Sequence, residues 1–185
     1  MQTALLLIDV QRSFVHRPYW GTDDVPAFLA HSNQLVAGCL KQGVPVVRIF
    51  HTEGPGNANN PFSPQSGLIR PLEGLDPFDA AATFEKHRHS ALVGTGLQVW
   101  LRQHGINRLI IAGIRTEQSC ETTARHASDE GFEVDYVTAA TLTFDMPLAS
   151  GATLTTAQIR ERTAAVLDQR FATVTDVQTA LERAA

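Results

Sequence analysis

Three short apolar, partly β-branched runs limit the folds open to this chain more than any other feature. They cover residues 4–8, 44–50 and 109–114, and apart from Arg48 they are continuously apolar rather than alternating with polar residues. A strand has this composition when both faces of its sheet are covered, as in parallel sheets. Residues 132–138 and 172–174 are two further candidate strands. The sequence therefore predicts a parallel sheet that is buried on both sides.

Segments with helical spacing separate these strands. The predicted helices cover residues 25–42, 97–104, 122–130, 155–167 and 177–183. Several end near Gly43, Gly105 or Gly131, and glycine is favoured there because the chain turns into a left-handed conformation after a helix. Strands that alternate with helices predict a doubly wound α/β sandwich, whose ligands bind beyond the carboxyl ends of the strands.

Length and composition are those of one ordinary globular domain, so we expect a single domain over residues 1–185. Of the 185 residues, 43% are hydrophobic, and the formal net charge is −4. This mild acidity provides no positive field for nucleic acid or for a membrane surface, and we expect neither as a partner. Cys39 and Cys120 form no disulfide or zinc pattern. The first apolar run is too short for a signal peptide or membrane span, so we expect a cytoplasmic protein.

A proline-rich stretch over residues 54–79 interrupts the alternation of strands and helices. A long irregular insert in a compact domain is either a binding loop or a packed surface loop. The sequence leaves both interpretations open.

Candidate catalytic residues lie near the ends of the predicted strands. Asp9 directly follows the first apolar run, and Ser119 follows the run that ends at Ile114. A hydroxyl or thiol at the start of the next helix would lie beside exposed backbone N–H groups, which favour an anion. Each residue also has a structural interpretation: Asp9 and Ser119 are ordinary turn and helix caps, and Lys86 is an ordinary surface residue.

Three segments together resemble the isochorismatase-like family of cysteine hydrolases, which includes nicotinamidases. They are residues 9–11 with Phe14, Lys86 with residues 90–91, and the block 113–127. The resemblance extends over nearly the whole chain. It implies a three-layer α/β/α sandwich with a parallel, six-stranded sheet. It also implies a catalytic triad of Asp, Lys and Cys, with Asp9 and Lys86 as the first two members.

The third member of the triad departs from the family pattern. In the family, the nucleophile lies three positions after the Thr of the turn and eight before the Ala that ends the motif. Thr116 and Ala127 both assign that position to Ser119. Cys120 does not replace it, because adjacent helical residues point about 100° apart. The serine is either an engineered replacement of a reactive cysteine, which we favour because the rest of the motif is intact, or a natural residue.

The resemblance implies a hydrolase that cleaves the C–N bond of a small amide, and we expect the serine to leave this chain strongly impaired. The oxyanion would be bound by the backbone N–H groups of Arg115 and Ser119, with a cis peptide at Ile114–Arg115. Two alternatives stay open: a vinyl ether hydrolase like isochorismatases themselves, and a non-catalytic ligand-binding protein. A dinucleotide-binding oxidoreductase is disfavoured because no G-x-G-x-x-G follows the first strand.

Substrate contacts are expected from side chains in or after the strand-end turns. These are Gln11, Phe14, Trp20, His51, Arg115 and Phe144. Nicotinamidases bind a metal through Asp-x-His, whereas this chain has His51-Thr52-Glu53 at that place, so we expect no metal and no cofactor. The family also implies a homo-oligomer, a dimer or a tetramer, that acts on a small-molecule amide.

Overall fold

The computed structural model describes residues 2–185. The strands are β1 (Gln2–Ile8), β2 (Val46–His51), β3 (Ala82–Lys86), β4 (Ile106–Ile114), β5 (Glu133–Leu142), β6 (Met146–Pro147), β7 (Thr153–Leu154) and β8 (Thr173–Thr175). The helices are α1 (Val25–Lys41), α2 (Leu97–Gln103), α3 (Glu121–Asp129), α4 (Thr156–Leu167) and α5 (Val177–Ala184). Short 3-10 turns cover Arg12–His16 and Pro64–Ser66.

Six strands form one parallel sheet in the order β3-β2-β1-β4-β5-β8, and β6 and β7 form a separate antiparallel hairpin. Helices α1 and α5 cover one face of the sheet, and α2, α3 and α4 cover the other. Along β1, Leu5 and Leu7 pack toward the first face, whereas Leu6 and Ile8 pack toward the second. Both faces of the strand are thus buried, and the predicted three-layer sandwich is confirmed.

Strand β3 is the main element that the sequence did not predict. It lies at the edge of the sheet, and exposed Thr83 and Glu85 alternate with half-buried Ala82 and Phe84. Its last residue is the buried Lys86. A short edge strand with one solvated face lacks the continuous apolar run that marks the central strands.

Gly113 allows β1 and β4 to approach closely just before their carboxyl ends. Its φ is 139°, and a Cβ atom there would lie 1.9 Å from the carbonyl oxygen of Ile8. No side chain fits at that distance, so glycine is required. The contact draws the residues that follow the two strands to one place.

The proline-rich insert is largely irregular but packs against the domain. Phe62 and Leu72 are buried in the core on the α1 side of the sheet. Among residues 2–185, no helix is both long and apolar enough to cross a membrane.

Candidate functional site

Asp9, Lys86 and Ser119 meet at the carboxyl edge of the sheet. Asp9 follows β1, Lys86 ends β3, and Ser119 lies in a π-helical turn, Thr116–Cys120, between β4 and α3. The Nζ atom of Lys86 lies 2.8 Å from Oδ2 of Asp9 and donates to Oγ of Ser119 at 3.0 Å. All three residues are buried. The lysine ammonium therefore lies between the carboxylate and the hydroxyl.

The backbone holds Asp9 in an uncommon conformation. Its φ is 55°, its N–H donates to the carbonyl of Ile49 at 2.8 Å, and its carbonyl accepts from the N–H of Gln11 at 2.8 Å. Non-glycine residues with positive φ often occur at functional sites. One carboxylate oxygen, Oδ1, has no hydrogen-bond partner within residues 2–185. The Asp9 side chain thus contacts the lysine rather than capping the turn.

The Lys86 ammonium has four neighbours for its three N–H groups. Besides Asp9 and Ser119, it donates to the carbonyl of Arg88 at 3.1 Å and lies 3.4 Å from Nδ1 of His51. Burial, and then the charge of Lys86, lower the pKa of His51 to about 4. The imidazole is therefore neutral near pH 7, and Nδ1 can accept from the ammonium. These contacts fix the position of the positive charge.

Burial raises the pKa of Asp9, and the charge and hydrogen bond of Lys86 and the nearby hydroxyl of Ser119 oppose that rise. Asp9 consequently holds a proton more readily than an exposed aspartate does. A base with a raised pKa is better matched to proton transfer near neutral pH. The pair Asp9–Lys86 can thus take up and return a proton next to position 119.

The two residues of the Ser119-Cys120 pair point in different directions. Ser119 lines a cavity, whereas Cys120 is fully buried against Ala124 and Tyr136 in the core on the α3 side. Burial raises the pKa of the Cys120 thiol well above its usual range, and it raises that of Cys39 to about 12. Both cysteines are free and buried, and Cys120 is not part of the cavity lining.

The cavity beside Asp9 and Ser119 has a volume of about 130 Å³. Its lining residues are Asp9, Phe14, Arg17, Tyr19, His51, Glu53, Phe62, His89, Gln118 and Ser119. The Phe14 and Phe62 rings meet edge to face at 5.0 Å between centroids. The cavity therefore has aromatic rings on one side and the polar side chains of Asp9 and Ser119 at its inner end.

Of the predicted substrate contacts, Phe14 and His51 line this cavity. Gln11 is buried outside it, and its amide exchanges hydrogen bonds with the His51 backbone at 2.7 and 3.0 Å, which ties the ends of β1 and β2 together. Trp20 packs against Phe144 at 5.2 Å. Neither ring is part of the lining.

Arg115 begins the π-helical turn after a cis peptide at Ile114–Arg115. Its guanidinium stacks on Tyr19 and Phe144, 4.7 and 5.7 Å from the ring centroids, and lies 3.0 Å from a carboxylate oxygen of Glu117. The side chain is buried in this cluster rather than lining the cavity. Its carbonyl accepts from the N–H groups of Gln118 and Cys120, each at 3.2 Å.

Six lining residues were not predicted as substrate contacts, and Glu53 was noted only as the last residue of the segment that replaces Asp-x-His. They are Arg17, Tyr19, Glu53, Phe62, His89 and Gln118. Most lie on irregular segments, where no periodicity relates them to the site. Within residues 2–185, no group of three or more His, Cys, Asp or Glu side chains is placed to hold a metal ion. The absence of a catalytic metal stays a prediction.

Residues 3–179 match the Isochorismatase domain family. The chain belongs to the isochorismatase family of hydrolases. A Bacillus subtilis protein described as an uncharacterized isochorismatase family protein is 26% identical over 171 residues, which is 92% of this chain and 90% of that protein. A streptothricin hydrolase of Streptomyces noursei is 30% identical over 149 residues, which is 79% of this chain but 51% of the relative.

Solved structures show the same fold. The structure of an isochorismatase from Pseudomonas putida superposes with a TM-score of 0.85 at 27% identity, over 96% of this chain and 89% of that one. A cysteine hydrolase from Pseudomonas syringae superposes with a TM-score of 0.87 over 99% and 92% of the two chains; at 19% identity it supports the fold alone.

Proposed function

We propose that this site hydrolyses the C–N bond of a small amide, with Asp9, Lys86 and a nucleophile at position 119 as a catalytic triad. The contacts of the Lys86 Nζ atom with both Asp9 Oδ2 and Ser119 Oγ, at 2.8 and 3.0 Å, support this proposal most directly. One ammonium in contact with both groups would stabilise a thiolate at position 119 while leaving the carboxylate beside it as the base.

With cysteine at position 119, Asp9 would take the thiol proton and the thiolate would attack the amide carbonyl carbon. The oxyanion would be bound by the backbone N–H groups of Arg115 and residue 119. Asp9 would then protonate the leaving nitrogen as the C–N bond breaks, releasing ammonia or an amine. Water, deprotonated by Asp9, would then attack the acyl carbon; the C–S bond breaks, the carboxylic acid is released, and Asp9 returns the proton to the thiolate.

With serine at position 119, the same cycle should be strongly impaired. A thiol has a pKa of about 8.5, and a neighbouring cation lowers it further, whereas an alcohol is a far weaker acid. An aspartate is poorly matched to deprotonate that alcohol. We therefore expect this chain to bind an amide substrate but to hydrolyse it at a very low rate.

The test is to restore the thiol by Ser119→Cys and to measure ammonia release from a panel of small amides. We expect ammonia release to rise by orders of magnitude over the unaltered chain, with Ser119→Ala as the control that stays inactive. Adding Asp9→Asn to the Ser119→Cys variant should lower the rate by about 10²–10⁴-fold. Equal rates for the serine and cysteine forms on every amide would contradict the proposal.

The same protein variants also distinguish the two alternative functions, a vinyl ether hydrolase and a non-catalytic ligand-binding protein. Incubation with isochorismate and detection of pyruvate tests a vinyl ether hydrolase, which would not need the thiol. Binding of amides by both forms without any product would indicate a non-catalytic ligand-binding protein.

A further inference from the structure

An ion pair lies at the outer side of the cavity that contains Asp9 and Ser119. The Nη2 atom of Arg17 lies 2.8 Å from Oε1 of Glu53, and both residues line the cavity. Their side chains are 30% and 44% exposed, whereas Asp9 is 1% exposed and Ser119 6%. The pair is therefore at the mouth of the cavity, and the reactive groups are at its base.

Each member of the mouth pair is held by a second contact. The Arg17 guanidinium lies 4.6 Å above the centroid of the Phe62 ring. The second carboxylate oxygen of Glu53 accepts from the side-chain amide of Asn60 at 2.8 Å. Surface ion pairs are weak when both side chains are mobile. Here the two extra contacts fix both charges against the wall of the cavity.

The charges around the cavity compensate each other. Asp9 is paired with Lys86, and Arg17 is paired with Glu53. His51 is neutral near pH 7, because its pKa is lowered to about 4. The remaining imidazole of the lining, His89, is exposed to solvent. Among the lining residues of the described range 2–185, every carboxylate and guanidinium is therefore paired, and none is free to bind an ionic group of a ligand.

We propose that the Arg17–Glu53 pair sets the charge preference of the site, so that it accepts an uncharged, ring-sized amide over one with a carboxylate or an ammonium at its outer end. This inference rests on the proposed amide hydrolysis. An outer carboxylate would compete with Glu53 for Arg17, and an outer ammonium would compete with Arg17 for Glu53. In both cases the charged ligand either separates Arg17 from Glu53 or lies beside the residue of like charge, and both outcomes weaken its binding.

The size of the cavity agrees with a single flat ring. An apolar cavity of about 150 Å³ takes up benzene, and this one has about 130 Å³ and is lined on one side by the contacting rings of Phe14 and Phe62. A benzamide whose amide lies at Ser119 would direct its para substituent toward the mouth.

The experiment compares three para-substituted compounds on the Ser119→Cys variant: benzamide, 4-carbamoylbenzoate and 4-(aminomethyl)benzamide. We expect kcat/KM from ammonia release to be highest for benzamide. Glu53→Gln should leave Arg17 unpaired and raise the carboxylate-to-benzamide ratio by about tenfold. Arg17→Gln should raise the ammonium-to-benzamide ratio by about tenfold, for the converse reason.

The chain contains a matched control for these two variants. Arg12 and Glu73 also form an ion pair between the segment after β1 and the proline-rich insert, and neither residue lines the cavity. Arg12→Gln and Glu73→Gln should therefore leave all three substrate ratios unchanged. Ratios that do not move in Arg17→Gln and Glu53→Gln, or that move equally in the controls, would overturn the inference.

Failure of the proposed reaction gives a different result. If the Ser119→Cys variant releases no ammonia from any amide, amide hydrolysis is wrong, and the charge preference is then measured as binding of the three compounds to the unaltered chain by calorimetry. Glu53→Gln and Arg17→Gln should shift the Kd ratios in the same directions. Unchanged Kd ratios would overturn the inference independently of the chemistry.

Discussion

Replacing Lys86 by methionine should destabilise the fold through Asp9. Lys86 is fully buried and donates to Asp9, to Ser119 and to the carbonyl of Arg88, at 2.8, 3.0 and 3.1 Å. Methionine fills a similar volume but leaves a carboxylate that is 1% exposed without its counterion. Removal of one partner from a buried ion pair costs about 3–5 kcal/mol. We expect a loss of that size in the free energy of unfolding at about pH 8.

The loss should depend on pH, with a definite sign. Burial raises the pKa of Asp9 above its unfolded value of 3.8, and Lys86 opposes the rise, so Lys86→Met should raise the pKa further. A carboxyl group with a raised folded-state pKa binds its proton more tightly in the folded state. Its contribution to stability is therefore present below the unfolded pKa and is lost as pH rises through the folded pKa. The variant should lose much less stability near pH 4 than near pH 8.

Urea unfolding followed by circular dichroism measures both free energies. The control is the double variant Asp9→Asn/Lys86→Met, which removes the uncompensated charge and should recover part of the loss. A loss below about 1 kcal/mol at pH 8 would refute the reasoning. A double variant less stable than Lys86→Met would refute it as well.

Two further predictions concern backbone packing and thiol chemistry. Gly113→Ala should destabilise the fold by more than about 4 kcal/mol in the same urea unfolding experiment, because the added Cβ would overlap backbone atoms. The control is Gly151→Ala, which is also at positive φ but has no atom within 4 Å of the added Cβ. It should cost about 1 kcal/mol. Cys39 and Cys120 should resist iodoacetamide in the native protein because burial raises both pKa values. Ser119→Cys should add a single rapidly alkylated thiol, detected by mass spectrometry. Rapid labelling of the unaltered chain would contradict the prediction that both native thiols are unreactive.

The sequence was sufficient to predict the central elements of the sheet because their side chains must be apolar on both faces. The strands around Leu6 and Ile110 are continuously apolar for that reason. Strand β3 was not predictable in this way, because it is a five-residue edge strand with two exposed positions. The residues around Lys86 consequently show no strand pattern, and only the family resemblance assigned Lys86 to the triad.

The rest of the cavity could not be predicted because contact there depends on irregular segments. Arg17 and Glu53 lie 36 residues apart, and Phe62 lies in the proline-rich insert. No helical or strand periodicity relates these positions to one another. Trp20 and Phe144, which were predicted as substrate contacts, lie after strands of the sheet but pack against each other and do not line the cavity. Proximity in sequence to a strand end thus identified Asp9, Ser119, Phe14 and His51 in the lining, but not the other six lining residues.

The geometry of the turn after β4 explains why a thiol one residue away does not replace the nucleophile. Residues 116–120 form a π-helical turn that Arg115 precedes as the N-cap, and Ser119 lies on its cavity side. Cys120 lies on the side that packs into the core, where burial keeps its thiol protonated. Successive residues of a helical turn point in different directions. The identity of residue 119 alone therefore decides whether a thiol or a hydroxyl lies beside Asp9 and Lys86.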